Sequence, residues 1–258
     1  MRKTSEMVRV RKYSVEEQGV GAFDGGRITE SKPVPFPQET GGSRRIGPLL
    51  YWAWATAEGD GVIGMHPHRG FEIMSYVLEG SVGHTDSVGN RRRVGVGGAQ
   101  VMQTGSGISH QEEMHGERTS FFQIWFEPDL GEALQRAPVY EDFEDGDFPV
   151  EESGGVRVKR VIGGGAPVEI VAPVEVVDVR VEAGAEHVVE LGAGEVLASV
   201  VIEGNGSLRG GGETGIGRGD FVVAEATEAA VVVVSGKTES VRVLVVRVPS
   251  EVDYPLYR

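Results

Sequence analysis

His66 and His68 stand one residue apart in MHPHRGFEIMSYVLEG (residues 65 to 80), and His110 and Glu112 repeat that spacing in TGSGISHQEE (104 to 113). Successive side chains of a β-strand point to opposite faces, so each pair puts both of its groups on one side of one strand. Two strands facing each other across a small barrel, each offering two inward nitrogen or oxygen donors, can enclose one divalent ion and leave coordination positions open for a reactant. Three imidazoles and one carboxylate suit Fe(II), Mn(II), Co(II), Ni(II), Cu(II) or Zn(II), and ligand identity does not choose among them.

A single H-x-H is a weak signal, but here three of the six histidines fall in two segments of matching period. His84, in the turn-like GHTDSVGN, and His115, in a polar stretch, are expected in solvent or behind the ligands. Glu113 points opposite Glu112 in a continuous strand and is expected at the surface. Glu72 completes H-x-H-x3-E and is either a ligand in place of Glu112 or a hydrogen-bond partner of a ligand imidazole.

The elements that must position these groups are strands. Glycine is abundant, at 39 residues, and valine recurs in VEVVDVRV, VLASVVIEG and VRVLVVRV, each bounded by Gly, Pro or Asp. Short strands with frequent turns follow, hence an all-β chain. At 258 residues it is long enough for two domains with their own cores. The absence of cysteine excludes disulfides, thiolate ligands and a Cys nucleophile, and nothing argues for secretion. No 18-residue apolar run exists and MRKTSEMVRVRKYS lacks the apolar core of a signal peptide, so no membrane association and a cytoplasmic location are expected.

Residues 1 to 138 carry 15 Lys+Arg against 17 Asp+Glu, and residues 139 to 258 carry 10 against 22, giving −2 and −12 of the chain's −14. Neither half offers the basic face that phosphate neutralisation requires, so no direct nucleic-acid binding is expected. The Arg91 to Arg93 triplet reads as a solvated loop after SVGN.

The second half reads as a degraded copy of the first. SYVLEG (75 to 80) aligns with SVVIEG (199 to 204), and VGVGG (94 to 98) with GIGRG (215 to 219), at offsets of 124 and 121. Carried forward, His66 falls on Glu190, His68 on Gly192, His110 on Val231 and Glu112 on Val233, so the second copy has no metal ligands and a structural role is expected for it. Its only histidine, His187, is expected at the surface. GEALQRAPVYEDFEDGDFP marks a linker, placing domains at 1 to 145 and 146 to 258. A short helix around PSEVDYPLY is expected to pack back on the first domain through Tyr254 and Tyr257.

HPHRGFE, YVLEG, the H-x-D of His84 and Asp86, and TGSGISHQE followed by FFQIWF resemble the pirin family of the cupin superfamily. The resemblance is strong over about residues 50 to 145 and architectural beyond them. It implies a bicupin, two cupin-type β-barrel (jelly-roll) domains, whose N-terminal barrel holds one metal, typically iron, through His66, His68, His110 and Glu112; it thereby favours Glu112 over Glu72. The segment IGPLLYWAWATAEGDGVIGM replaces the usual lead-in to the first histidine motif, a departure at the mouth of the pocket.

The function implied is a metal-dependent dioxygenase of quercetin 2,3-dioxygenase type: a flavonol or related aromatic enol loses its hydroxyl proton to Glu112, and O2 cleaves the ring with loss of carbon monoxide. Met65, Phe71, Met74, Met102, Phe122, Ile124 and Trp125 are candidate pocket walls, half of which must point away by strand alternation. The alternative is a metal- or redox-sensing regulator acting through a protein partner with the same four ligands. A third reading, a non-oxidative cupin such as an isomerase, predicts activity with Zn(II) and without O2.

Overall fold

The structure is a computed structural model describing residues 7 to 257. The chain runs through β1 (Val8–Tyr13), β2 (Gly19–Phe23), β3 (Ile28–Val34), β4 (Leu49–Glu58), β5 (Gly61–His68), β6 (Glu72–Asp86), β7 (Arg91–Val94), β8 (Ala99–Gln103) and β9 (Ile108–Phe126). One short helix, α1 (Leu130–Ala133), precedes β10 (Val139–Phe143). Then come β11 (Val150–Ser153), β12 (Val156–Ile162), β13 (Glu175–Val181), β14 (Glu186–Leu191), β15 (Glu195–Arg209), β16 (Glu213–Gly217), β17 (Phe221–Ala226) and β18 (Ala230–Pro249).

These strands form two units. One comprises residues 18 to 148 with 167 to 173 and 253 to 258; the other comprises 1 to 17, 149 to 166 and 174 to 252. A single cut near 145 does not describe this division, because β1 pairs along β17, from Val8 with Ala226 to Tyr13 with Phe221. The signal for that exchange is a long-range strand pairing, which local composition does not carry.

Each unit is a nine-stranded cupin-type β-barrel, and the two have the same topology. The first runs β10-β8-β6-β9-β4-β3-β2, with β5 also on β9 and β7 on β6; the second runs β1-β17-β15-β18-β13-β12-β11, with β14 also on β18 and β16 on β15. The aligned glycines SYVLEG Gly80 and SVVIEG Gly204 sit at equivalent bulges, with φ of 70° and 71°. At Gly204 a Cβ would lie 1.9 Å from the Ser240 carbonyl oxygen, so both the left-handed conformation and the close approach require glycine.

The second barrel is filled by aliphatic side chains, among them Leu197, Val201, Leu208, Val222, Val232 and Val243. The first has two smaller clusters. Ile28, Ala55, Ala57, Val77, Val82, Met114 and Phe121 close one end. Tyr51, Ala53, Ile73, Met102, Ile108 and Trp125 surround the other.

Strand register corrects the carried-over ligand positions by one residue. His66 pairs with His110, and the equivalent pair is Val189 with Val232. His68 and Glu112 likewise correspond to Leu191 and Val234. These four side chains belong to the second barrel's core or pack against it, whereas Val231 is 46% exposed. A one-residue slip exchanges the two faces of a strand, which is why Glu190 and Val231 point outward. His187 is half-buried rather than fully at the surface.

Other expectations also change. Arg91 to Arg93 form the exposed part of an edge strand, not a loop. Residues 250 to 257 contain no helix, yet Tyr254 donates its hydroxyl to the Glu127 carbonyl at 2.8 Å and the Tyr257 N–H donates to the Glu127 carboxylate. None of the described helices is long and apolar enough to cross a membrane.

Gly204→Ala is expected to destabilise the protein by about 2 kcal/mol or more, since strain and overpacking add. Thermal unfolding beside Gly212→Ala, where an added Cβ meets nothing within 4 Å, checks it; equal melting temperatures would refute the bulge argument.

Candidate metal centre

β5 and the first half of β9 position the histidines. Ile63 pairs with Glu112 and His66 with His110, so two residues of β5, Gly64 and Met65, oppose the single Gln111. This bulge reverses the alternation of β5: Ile63 packs on the core below, while Met65 is 54% exposed and His66 and His68 turn inward. β9 runs unbroken here, and its buried residues Ile108, His110, Glu112 and Met114 share one face.

The three imidazoles converge. Their ligand-capable nitrogens all lie within 4.8 Å of one another, the one such group among the described residues. Ring centroids are 4.6 Å apart for His66 and His68, 4.5 Å for His66 and His110, and 5.0 Å for His68 and His110, with interplanar angles of 90°, 53° and 65°. Burial, and then the neighbouring histidine charges, push His68 down to about 4 and His110 down to about 2, so both are neutral at neutral pH.

Hydrogen-bond accounting leaves lone pairs aimed inward. The Nδ1–H of His66 donates to the Gly64 carbonyl at 2.7 Å, so its Nε2 is bare. Nε2 of His68 and Nε2 of His110 are buried with no partner. Buried unpaired acceptors cost stability unless something satisfies them, and converging imidazole lone pairs fit a divalent cation.

Glu112 lies on the same inward face but outside the group within 4.8 Å. It is 1% exposed, and its Oε1 accepts from Gln123 Nε2 at 2.7 Å. Burial pushes its carboxyl up to about 7, against the opposing hydrogen bonds from Gln123 and Ser75.

Glu72 is engaged away from the imidazoles. Its Oε1 accepts from Gln103 Nε2 and the Val171 N–H, both at 2.7 Å, and its Oε2 from the Ala172 N–H at 2.9 Å. It staples residues 167 to 173 to the barrel and leaves the imidazoles alone.

Of the two places expected for His84, solvent or behind the other histidines, the structure shows the second, and Asp86 accompanies it. His84 and Asp86 are buried at the end of β6. His84 Nε2 lies 2.9 Å from Asp86 Oδ2, and His84 Nδ1 lies 3.3 Å from His110 Nδ1. The signal was in the sequence: Val82, His84 and Asp86 continue one face at period two. His115 and Glu113 lie on the opposite face, 3.3 Å apart.

A cleft of about 500 Å³ is lined by Phe36, Leu50, Arg69, Phe71, Trp125 and Tyr257 among others. Trp125 meets His68 edge to face at 4.7 Å. Of the candidate wall residues, Phe71 and Trp125 line the cleft and Met102 packs behind them. Met74, Phe122 and Ile124 are buried on the other strand face, and Met65 points to solvent.

Two equivalent all-β barrels in one chain, one with converging imidazoles, define a bicupin. The solved structure of the bacterial pirin YhhW from Escherichia coli in complex with nickel(II) superposes with a TM-score of 0.77 at 23% identity, covering 95% of this chain and 100% of that one. A family profile described as Pirin matches residues 53 to 126. A pirin-like protein of Caulobacter vibrioides is 36% identical over 191 residues, 67% of each chain. The chain belongs to the pirin family. A protein of Escherichia coli (strain K12) named quercetin 2,3-dioxygenase is 47% identical over 68 residues, 26% of this chain and 29% of that one.

The raised Glu112 pKa has a stability consequence in the metal-free protein. The folded state holds the proton up to about 7 and the unfolded state releases it near its ordinary 4.5, so stability falls as pH rises between them. Metal-free Glu112→Gln is expected to exceed the unsubstituted protein in stability by about 3 kcal/mol at pH 8. That advantage should vanish near pH 4.5; denaturant unfolding at both values checks it, and a pH-independent difference would refute it.

Proposed function

We propose that His66, His68 and His110 hold one divalent metal, most simply Fe(II), with Mn, Co, Ni, Cu or Zn as alternatives, and that Glu112 completes the site. In this reading the protein is a quercetin 2,3-dioxygenase-like enzyme that uses O2 to cleave a flavonol or related aromatic enol. The convergence of three imidazoles, two of them with buried unpartnered nitrogens, and the edge-to-face contact of His68 with the cleft residue Trp125 carry the proposal. The name of the E. coli relative supports the substrate class.

When bound, the ion supplies a Lewis-acid site for an enol oxygen and a route for electrons between substrate and O2. The chain's own residues do the rest. Phe36, Phe71 and Trp125 offer flat apolar faces that orient a planar ring and exclude water. Glu112, with its carboxyl near neutrality, takes the enol hydroxyl proton, and Gln123 holds its Oε1 during that exchange.

Anaerobic purification with elemental analysis, then O2 uptake on adding quercetin, tests the reading. Stoichiometric redox metal with metal-dependent uptake is expected, and His110→Ala should lose both. Full metal content in His110→Ala would remove the ligand assignment; metal without uptake would favour a sensing role or another substrate.

A further inference from the structure

We infer that the Asp86–His84 pair is a positioning device for the metal centre, fixing the tautomer of His110 so that its bare Nε2 faces His66 and His68. The inference rests on the metal reading for its purpose, but its hydrogen bonding stands on the metal-free geometry.

The protons admit one assignment. A carboxylate only accepts, so the 2.9 Å contact with Asp86 Oδ2 places the proton of neutral His84 on Nε2. His84 Nδ1 is then bare and accepts across 3.3 Å, which places the proton of His110 on Nδ1. His110 Nε2 is left with its lone pair, buried and unpartnered. A pair that served packing alone has no reason to end on an unpartnered lone pair inside the barrel.

The pair is also braced. Asp86 Oδ1 accepts from the N–H groups of Val88 and Asn90, both at 3.0 Å, and Oδ2 from Asn90 Nδ2 at 2.8 Å. Tyr140 stacks on the His84 ring at 4.0 Å and 14°, and its hydroxyl donates to Gln100 Oε1 at 3.1 Å. The hairpin turn DSVGN therefore fixes the carboxylate, the carboxylate fixes His84, and His84 fixes the direction of His110. Partners of this kind typically change metal affinity by about 10- to 100-fold when removed.

Asp86→Asn can present an amide N–H to His84 Nε2, which reverses both tautomers and caps His110 Nε2 with a proton. His84→Gln keeps one donor and one acceptor; His84→Leu keeps only bulk. With Co(II) as the probe, Asp86→Asn and His84→Leu should bind about 10- to 100-fold more weakly and alter the ligand-field spectrum, while His84→Gln stays within a few-fold. A packing role would instead treat Leu and Gln alike. Independently of any variant, long-range proton–nitrogen correlation on the metal-free protein should show His110 protonated at Nδ1. The opposite tautomer, or equal Co(II) affinity and spectra in all variants, would overturn the inference. Failure of the unsubstituted protein to take up Co(II) would sink the metal reading, leaving the tautomer measurement to decide the hydrogen-bond relay.

Discussion

The pairing of β5 with the first half of β9 determines what the centre can do, because one extra residue in β5 decides which face His66 and His68 present. Continued from Ile63, regular alternation would send Met65 and Pro67 inward and the imidazoles into solvent. The bulge at Gly64 and Met65 reverses this, and the Gly64 carbonyl that it displaces holds the His66 ring. One irregularity thus both aims the His66 imidazole inward and sets its tautomer. β9 needs no such device, since His110 and Glu112 fall inward with Ile108 and Met114 in plain alternation.

Much of this was legible in the sequence, and what was not has physical reasons. The period-two pairs identify the three histidines and the two strands that carry them, and the YVLEG and VVIEG motifs reveal two copies of one barrel. The bulge in β5 was invisible because a bulge is a matter of counting against a partner strand, not of composition. The same difficulty displaced the ligand positions in the second copy by one residue, onto the outward Glu190 and Val231. Glu72 was undecidable because two of the N–H groups that hold it come from residues 171 and 172, about a hundred residues away in sequence. The sequence left His84 between solvent and a place behind the other histidines because GHTDSVGN carries strong turn chemistry; the turn begins only after Asp86, and His84 still belongs to the strand, buried against His110.

The two barrels show what a polar interior demands. In the second, Val189, Leu191, Val232 and Val234 stand where the first has His66, His68, His110 and Glu112, and burial of their apolar surface is favourable with no partner required. In the first, each inward polar group must be paired or shift its protonation. Gln123 joins Glu112 to Trp125, accepting the indole N–H at 3.3 Å. Burial raises the Glu30 carboxyl and the nearby Glu112 adds to that rise, against Lys32 and the Tyr51 hydroxyl. Nε2 of His68 and Nε2 of His110 stand outside this pairing.

The lead-in segment that departs from the family acts on the cleft through a different chain of contacts. Tyr51 stacks on Phe36 at 4.2 Å and meets Trp125 at 5.8 Å, so it supports two aromatic walls of the cleft. Its hydroxyl donates to Glu30 at 3.1 Å; Glu30 lies 3.7 Å from Lys32, and Lys32 in turn pairs with Glu39 at 2.5 Å. A buried ion pair stabilises little in net terms but costs several kcal/mol when one partner is removed, so it constrains geometry more than it adds stability. Lys32 is 5% exposed and Glu30 is 6% exposed, which leaves neither charge an alternative partner in water. The position of Tyr51, and with it the spacing between Phe36 and Trp125, is therefore held by charges that touch no histidine. A change at Tyr51 reaches the shape of the cleft without touching the strand pairing of β5 and β9 that positions the histidines.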